Sequence, residues 1–353
     1  MSSTGGLSFV LARVGVVAVL ALAIWSPAAG AAPVPAPTSQ TMLKVGSLSL
    51  VAEAGLYAAV VKGYFQEEGL SVDFIPFRTG AEMTPPLATG EIQFGSSPVD
   101  PSTFNAILRG IDMKIVGYNA IINQPDVSAG WMVRQDLVDS GRYRDFADLR
   151  GMTIGLTAAG GIGMMWVERV LARGGLTPND VQLVFLSLPD QPAAYANRGM
   201  DAGFQVEPFI TVAESQGLAR TVASVGELYP GLVAMVQFMS PMIAQNPDLG
   251  RRFVTAYLRG QRDYYRAFVQ DAGGKEEMIQ ILLQYTPIRE PRLIERMATH
   301  RVEPNGEMDP RTLYELQDYF LRFGSQQQRV DLSRVIDSSY ADYAVSRLGR
   351  VTP

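Results

Sequence analysis

Short apolar runs typical of strands alternate with helix-like segments along residues 43–239. This alternation favours parallel sheets that are covered by helices on both faces, and it therefore predicts an α/β protein. The predicted strands are residues 43–48, 72–77, 92–95, 114–118, 130–134, 153–157, 182–188, 202–206 and 233–239. The predicted helices among them are residues 55–63, 101–109, 162–173, 191–198 and 210–216.

One sequence phrase occurs twice in this part of the chain. Residues 90–95 read GEIQFG, and residues 199–204 read GMDAGF. Each copy follows a short helix and opens a strand that leads into a helix start containing proline. Two halves built alike predict a two-lobed protein. We expect residues 42–127 together with 234–353 to form the first lobe, and residues 128–233 to form the second.

The chain beyond residue 239 is predicted to be helical and to extend the first lobe. Its longest helical run, residues 248–270, carries Phe253, Tyr257, Tyr264 and Phe268 at roughly helical spacing. Aromatic residues on one face of a helix usually pack into the core. We therefore expect these rings in the core and not at a ligand.

The amino terminus has the features of a cleaved signal peptide. Arg13 precedes an apolar run over residues 14–24, and residues 29–31 form an Ala-x-Ala cleavage site. The run is shorter than the roughly 20 residues that a membrane-spanning helix needs, although an uncleaved anchor is the alternative. We expect residues 1–31 to be the signal peptide, residues 32–41 to be a proline-rich tether, and the mature chain to be periplasmic.

The composition argues against several classes of protein. The 353 residues include no cysteine, which excludes a disulfide, a lipid-modified cysteine and a thiolate metal site. Lysine and arginine number 30 against 35 acidic residues, without a basic patch, which argues against a nucleic-acid partner. The Ser-x-x-Lys, Gly-x-Ser-x-Gly and His-Glu-x-x-His motifs are absent. We expect a monomer with no catalytic residues, no metal and no cofactor.

Several stretches resemble the solute-binding proteins of nitrate, sulfonate and taurine import systems, a family that also contains thiamine-pyrimidine binders. The matching stretches are residues 55–59, 62–70, 77–82, 90–95, 109–110, 148–151, 175–181 and 206–209. The resemblance implies a two-lobed periplasmic binding protein of type II, with two crossover strands, a helical C-terminal extension and a small-molecule ligand in the cleft. It also implies an ABC permease and its ATPase as partners.

The same resemblance leaves other functions open. One is the binding of a thiamine-pyrimidine precursor. Another is catalysis, because fungal thiamine-pyrimidine synthases and dehydratase-like enzymes of the menaquinone pathway are related. The synthases need a cysteine-rich motif and an active-site histidine. This chain has no cysteine, and its single histidine, His300, lies in the helical C-terminal region. We therefore expect a binding protein that is not an enzyme.

The candidate ligand site follows from where loops meet helices. In open α/β sheets, ligands bind beyond the carboxyl ends of strands, where loops lead into helix N-termini. The glycines of residues 157–163 would let backbone N–H groups approach a ligand, and a valine at Gly161 is predicted to block that approach. The candidate residues are Ser49, Glu53, Ser96, Ser97, Tyr118, Asn119, Trp131, Thr157, Gly160, Gly161, Ile162, Asp190, Gln205, Glu207 and Phe238.

The loops around the predicted cleft are poor in cations. Arg78 and Arg134 are the basic side chains expected near it, and both are predicted to be solvated. A strongly anionic ligand usually needs an arginine fork. Glu53 and Glu207 add carboxylates that can accept hydrogen bonds from an amino group. The chemical class of the ligand therefore stays open at this point.

Overall fold

The computed structural model describes residues 40–122, 128–229 and 232–352. The predicted signal peptide, most of the tether and the predicted end of the first lobe at Val127 lie outside these residues. The strands are β1 (Thr41–Ser47), β2 (Leu70–Pro76), β3 (Phe94–Ser97), β4 (Lys114–Ile122), β5 (Ala129–Arg134), β6 (Thr153–Leu156), β7 (Gln182–Phe185), β8 (Ala202–Val206), β9 (Ala219–Ser224) and β10 (Leu232–Met239).

Helices account for most of the remaining regular structure. They are α1 (Ala54–Val61), α2 (Tyr64–Glu67), α3 (Gly80–Thr89), α4 (Pro101–Leu108), α5 (Gln135–Asp139), α6 (Ile162–Arg173), α7 (Gln191–Ala196), α8 (Phe209–Ser215), α9 (Val225–Leu228), α10 (Pro241–Ala244), α11 (Pro247–Tyr264), α12 (Lys275–Tyr285), α13 (Pro291–Arg296), α14 (Arg311–Phe323), α15 (Leu332–Val335) and α16 (Ser339–Leu348). None of the described helices is both long enough and apolar enough to cross a membrane.

The strands form two five-stranded sheets of the same design. The first sheet has the order β2-β1-β3-β10-β4, and the second has the order β7-β6-β8-β5-β9. In each, three strands run parallel and the fourth pairs antiparallel with the third. Strand β10 joins the first sheet although it follows the second in sequence. The two-lobed α/β fold predicted from the repeated phrase is therefore confirmed.

The repeated glycine-rich phrase has a packing role in each sheet. A Cβ atom at Gly95 would lie 2.6 Å from the sulfur of Met83, and a Cβ atom at Gly203 would lie 2.6 Å from the terminal methyl of Met200. Each methionine is completely buried. Methionine fills irregular gaps in a core, and here glycine on the strand provides the gap. The repetition in sequence thus reflects one packing solution used twice.

Helix α11 packs tightly against α1 and supports the first sheet. A Cβ atom at Gly260 would overlap the carbonyl oxygen of Gly55, so the two helices approach each other through glycines. Phe253, Tyr257 and Tyr264 are buried, which confirms that the aromatic face of this helix belongs to the core. A single π-helical turn, Tyr265–Val269, follows the helix.

Several element boundaries differ from the sequence predictions. Strand β9 was not predicted, because Ala219–Ser224 is half polar and forms an edge of the second sheet, where one side of the strand has no partner. The strand predicted over residues 182–188 ends at Phe185, and a 3₁₀ turn, Leu188–Asp190, begins soon after with proline at its second residue. Proline cannot donate to a sheet, so it favours the turn.

Candidate ligand-binding site

A cavity lies between the two sheets and is lined by segments from both. Its empty space, including the opening to solvent, is about 920 Å³. The first sheet contributes the loop after β1, the loop after β2 and the ends of β4 and β10; the second contributes the start of β5, the ends of β6 and β8 and the start of α6. A pocket of several hundred Å³ at the strand ends of an α/β protein is a common ligand site.

Most of the cavity wall is apolar. Leucine, isoleucine, valine and alanine side chains surround the rings of Trp166 and Phe204, whose centroids are 3.6 Å apart. The polar side chains in the wall are Arg78, Thr79, Ser128, Thr157, Glu207 and His300. Few polar groups in an apolar wall are typical of sites for organic molecules, because the polar groups fix the orientation and the apolar surface supplies affinity.

The loop after β1 is held in place by the buried carboxyl group of Glu53. This group accepts hydrogen bonds from the backbone N–H of Leu50 at 2.9 Å, the hydroxyl of Ser47 at 3.0 Å and the hydroxyl of Tyr57 at 2.9 Å. Burial raises the pKa of Glu53 to about 7. Glu53 does not line the cavity, and neither does Ser49, which adopts a left-handed backbone conformation with φ of 57°. Glu53 positions the leucines of this loop in the wall.

Glu207 reaches the cavity from the end of β8. Its carboxyl oxygens accept hydrogen bonds from the backbone N–H and the hydroxyl of Thr211, at 3.1 and 2.9 Å. These bonds tie Glu207 to the first turn of α8. Burial is the main reason that the pKa of Glu207 rises to about 7, and the nearby N–H of Ala298 partly opposes that rise. A carboxyl group with this pKa is partly protonated at neutral pH, so it can donate or accept a hydrogen bond.

His300 is a wall residue that the sequence analysis did not assign to the site. It is buried and its ring stacks on Tyr264 at a centroid distance of 4.5 Å. Nδ1 lies 3.0 Å from the hydroxyl of Tyr264, whereas no side-chain hydrogen bond of Nε2 occurs among the described residues. Burial lowers the pKa of His300 to about 3, so the imidazole is neutral. The segment reaches the cavity because Arg301 forms an isolated bridge with Ile121 on β4.

The glycine-containing loop before α6 divides into residues that face the cavity and residues that do not. Thr157, Ile162 and Gly163 line the wall. Gly160 lies outside the lining, with φ of 72°, and its carbonyl oxygen accepts a hydrogen bond from Ser325 at 3.0 Å. A Cβ atom at Gly161 would meet no atom within 4 Å. Gly163 therefore lines the cavity, whereas Gly161, the position predicted from the sequence, does not.

Arg78 lines the cavity mouth, but its guanidinium is bonded to the opposite lobe. It contacts the carboxylate of Asp190 and donates to the hydroxyl of Ser187 at 3.1 Å. The hydrogen bond from Arg78 is the main reason that the pKa of Asp190 is lowered. Arg134 does not line the cavity and forms ion pairs with Asp136 and Asp201, each at 2.6 Å. The Arg78 side chain is 60% exposed, as predicted, although it is paired, whereas the Arg134 side chain is only 11% exposed and is not solvated.

The family can be named from the matching segment. A model of the family described as NMT1/THI5 like matches residues 52–267. The chain belongs to the NMT1/THI5-like family. The segment matched by the family ends before His300, so this wall residue lies outside it.

Two curated relatives of the chain carry different activities in their names. The riboflavin-binding protein RibY of Chloroflexus aurantiacus is 24% identical over 279 residues, which cover 74% of this chain and 72% of that protein. The 4-amino-5-hydroxymethyl-2-methylpyrimidine phosphate synthase of Aspergillus parasiticus is 27% identical over 166 residues, which cover 47% of this chain and 45% of that enzyme. The relatives of this chain thus include one named as a binding protein and one named as a synthase.

Solved structures of solute-binding proteins share the fold. The alkanesulfonate-binding protein SsuA of Xanthomonas axonopodis pv. citri, bound to MOPS, has a TM-score of 0.67 and 21% identity, and the match covers 85% of this chain and 99% of that one. The periplasmic nitrate-binding protein NrtA of Synechocystis PCC 6803 has a TM-score of 0.71 and 18% identity, covering 88% and 89%. These likenesses confirm the two-lobed periplasmic binding protein fold of this family member.

The other candidate residues do not line the cavity. Asn119 donates to the hydroxyl of Ser96 at 2.7 Å, and Gln205 donates to the carbonyl of Leu188 at 3.0 Å. Both point away from the wall because their strand neighbours face it, and successive side chains alternate across a strand. The hydroxyl of Tyr118 donates to the carbonyl of Asp309. The candidates outside the lining are Ser49, Glu53, Ser96, Ser97, Tyr118, Asn119, Trp131, Gly160, Gly161, Asp190, Gln205 and Phe238.

Trp131 and Phe238 are packed inside the fold, each with 1% of its surface exposed. Both rings belong to the large hydrophobic cluster that also contains Trp166 and Phe204. Tyr118, Trp131 and Phe238 were candidates from the sequence, but among the described phenylalanine, tyrosine and tryptophan residues only Trp166 and Phe204 line the cavity. Trp166 sits one helical turn after Gly163, which explains why it shares the same face of α6.

Proposed function

We propose that this chain is the periplasmic substrate-binding component of an ABC importer. It binds one small organic solute in the cavity between its lobes and delivers that solute to a membrane permease with its ATPase. The mature protein acts as a monomer after removal of its signal peptide. The observation that carries this proposal is an apolar cavity to which the strand ends of both sheets contribute wall residues.

The position of the cavity supports binding and release through movement of the lobes. A ligand between two lobes gains contacts from both sides only when they are close together. The ion pair of Arg78 with Asp190 spans the cavity mouth, so it stabilises the closed arrangement of the lobes. The relatives named for binding riboflavin, alkanesulfonate and nitrate support a transported solute as the ligand.

A second candidate function is catalysis in the same cavity. It is favoured by one observation, namely that Glu207 and His300 both line the wall, together with the synthase among the relatives. The chain has no cysteine, and the synthases it resembles are expected to need a cysteine-rich motif. Prolonged incubation of the protein with its bound molecule distinguishes the two functions. A binding protein returns the molecule unchanged, whereas an enzyme converts it.

Native mass spectrometry of freshly purified mature protein tests the proposed function. We expect one organic molecule per chain, released on denaturation, and a dissociation constant measurable by titration calorimetry with the identified molecule. Uptake of that molecule should fall in cells that lack this chain and recover when it is restored. A chain that binds no small molecule in either experiment would contradict the proposal.

A further inference from the structure

The charge of the cavity wall is the first constraint on the ligand. Arg78 is the only cationic side chain in the described lining, and it is paired with Asp190 and Ser187. A buried anion needs paired or hydrogen-bonding groups to replace its hydration. Among the described wall residues, Arg78 is therefore the one cation for a nitrate or a sulfonate, and it is already paired.

The acidic residue in the cavity wall also argues against an anionic ligand. Glu207 is 5% exposed and lies in the wall, where an anionic ligand would face a carboxyl group. His300 is a second titratable residue in this part of the wall. The backbone N–H of Ala298, two residues before His300 in the sequence, bonds to Glu207. The imidazole is neutral and cannot compensate a negative ligand. An uncharged ligand avoids both the repulsion and the loss of hydration.

The apolar surface of the cavity wall indicates that most of the ligand is apolar. The side chains of Leu48, Leu50, Ile122, Leu156, Trp166 and Phe204 are all buried in the fold and all contact the cavity. Burying apolar ligand surface against such groups supplies most of the affinity in sites of this kind. A nitrate ion or taurine is too small and too polar to use this surface.

The polar end of the cavity, defined here as Glu207 and His300, sets the hydrogen bonding. Both oxygens of Glu207 accept bonds from Thr211, and the geometry leaves carboxylate lone pairs for one further donor. Nε2 of His300 has no hydrogen-bond partner among the described side chains. A hydroxyl or imide N–H on the ligand would satisfy this end.

We propose that the ligand is an uncharged, largely apolar organic molecule that donates a hydrogen bond to Glu207. This inference rests on the proposed function, since it names the class of solute that the cavity accepts. It separates this chain from the relatives named for alkanesulfonate and nitrate, although they share its fold. His300 lies beyond the segment that the family model matches, so part of the polar end is supplied by the C-terminal region of this chain.

Three ring compounds of similar size test the inference. 2-Naphthol is neutral and donates a hydrogen bond, 2-methoxynaphthalene is neutral without a donor, and naphthalene-2-sulfonate is an anion. We expect 2-naphthol to bind about tenfold more tightly than 2-methoxynaphthalene, the value of one buried hydrogen bond to an ionisable group. We expect naphthalene-2-sulfonate and taurine to bind at least as weakly as 2-methoxynaphthalene. We also expect the cation 2-naphthylmethylammonium to bind more weakly than 2-naphthol. Titration calorimetry at pH 7.5 measures all five compounds.

Two variants locate the donor contact. Glu207→Gln keeps the shape of the side chain, and we expect it to reduce the preference for 2-naphthol over 2-methoxynaphthalene from about tenfold to less than threefold. Glu214→Gln makes the same chemical change on α8 at an exposed carboxyl group that does not line the cavity. This control should retain the preference, and thermal melts on both variants show whether they are folded.

The outcomes separate failure of the inference from failure of the proposed function. Tighter binding of naphthalene-2-sulfonate, of taurine or of the cation 2-naphthylmethylammonium would overturn the uncharged ligand and leave solute binding intact. An unchanged preference in folded Glu207→Gln would overturn the contact with Glu207. Absence of binding by every probe, together with no co-purified molecule, would overturn the proposed function itself.

Discussion

Replacing Glu53 with glutamine should remove part of the pH dependence of stability. The carboxyl group of Glu53 is fully buried and accepts bonds from the backbone of the loop after β1, including Leu50 at 2.9 Å. Burial raises its pKa from 4.5 to about 7. Because the folded state holds this proton more tightly than the unfolded state, the contribution of Glu53 to stability is fully present below about pH 4.5. It is lost as the pH rises through 7.

The size of the effect follows from the pKa. A rise from 4.5 to about 7 corresponds to roughly 3 kcal/mol, at about 1.4 kcal/mol for each pKa unit. Glutamine has the shape of a protonated glutamate and does not titrate. We therefore expect Glu53→Gln to match the wild type within about 1 kcal/mol at pH 4.5. As the pH rises to 9, the free energy of unfolding of the variant should come to exceed that of the wild type by roughly 3 kcal/mol.

Denaturant unfolding of both proteins between pH 4.5 and 9 measures this difference. Titration of Glu207 occurs in the wild type and in the variant alike, so it cancels when the two curves are subtracted. Glu91→Gln, which replaces an exposed carboxyl group, serves as the control and should change the free energy of unfolding by no more than about 0.5 kcal/mol. A difference that stays flat, or that favours the wild type as the pH rises, would refute the raised pKa of the buried Glu53 carboxyl group.

Three further substitutions test the site and the packing. In Gly163→Leu the new side chain should enter the cavity and weaken ligand binding more than tenfold. The variant should still fold, because a Cβ atom at this position meets only atoms at 3.8 Å or beyond. Gly161→Ala is the control and should bind ligand normally in calorimetry. Arg78→Ala removes the contact with Asp190 across the cavity mouth, so small-angle scattering without ligand should give a larger radius of gyration than the wild type. An equal radius would show that this ion pair does not hold the lobes together. Gly260→Ala should lower the free energy of unfolding by roughly 1–3 kcal/mol, since its Cβ atom overlaps the backbone of α1; a melting temperature equal to that of the wild type would contradict this close helix contact.

Much of the fold could be predicted because local sequence patterns indicate its strands, helices and repeated unit. The phrase around Gly95 returns around Gly203, and in each sheet it marks the glycine beneath a buried methionine. The alternation of strands and helices then led to two similar sheets. Strand β9 escaped prediction because Ala219–Ser224 pairs with β5 at an edge and lacks an apolar run. Its pairing depends on the partner strand more than on its own residues.

The candidate site was less accessible to sequence reasoning for a geometric reason. Knowing that a loop follows a strand locates the cavity within several residues, but it does not say which side chains face it. Gly161 and Gly163 illustrate the limit, since both belong to the same glycine-rich turn and only Gly163 reaches the wall. Glu53 was a candidate ligand contact, yet its side chain points away from the cavity and bonds to the loop that it stabilises.

His300 shows what no local pattern could reveal. It reaches the cavity because its neighbour Arg301 pairs with Ile121, about 180 residues earlier in the chain. Neither side of this contact carries a periodic or motif signal. Trp166 does carry a local signal, because it lies one turn beyond Gly163 on a helix whose first turn was already predicted to face the ligand.

A crystal structure of the protein with its co-purified molecule, or with 2-naphthol if none is retained, tests the interlobe cavity most directly. We predict ligand density in contact with both lobes, touching Leu48 from the first and Trp166 and Glu207 from the second. Density confined to the surface groove between α6 and α14, which is lined by Glu168 and Arg322, would contradict the cavity as the binding site.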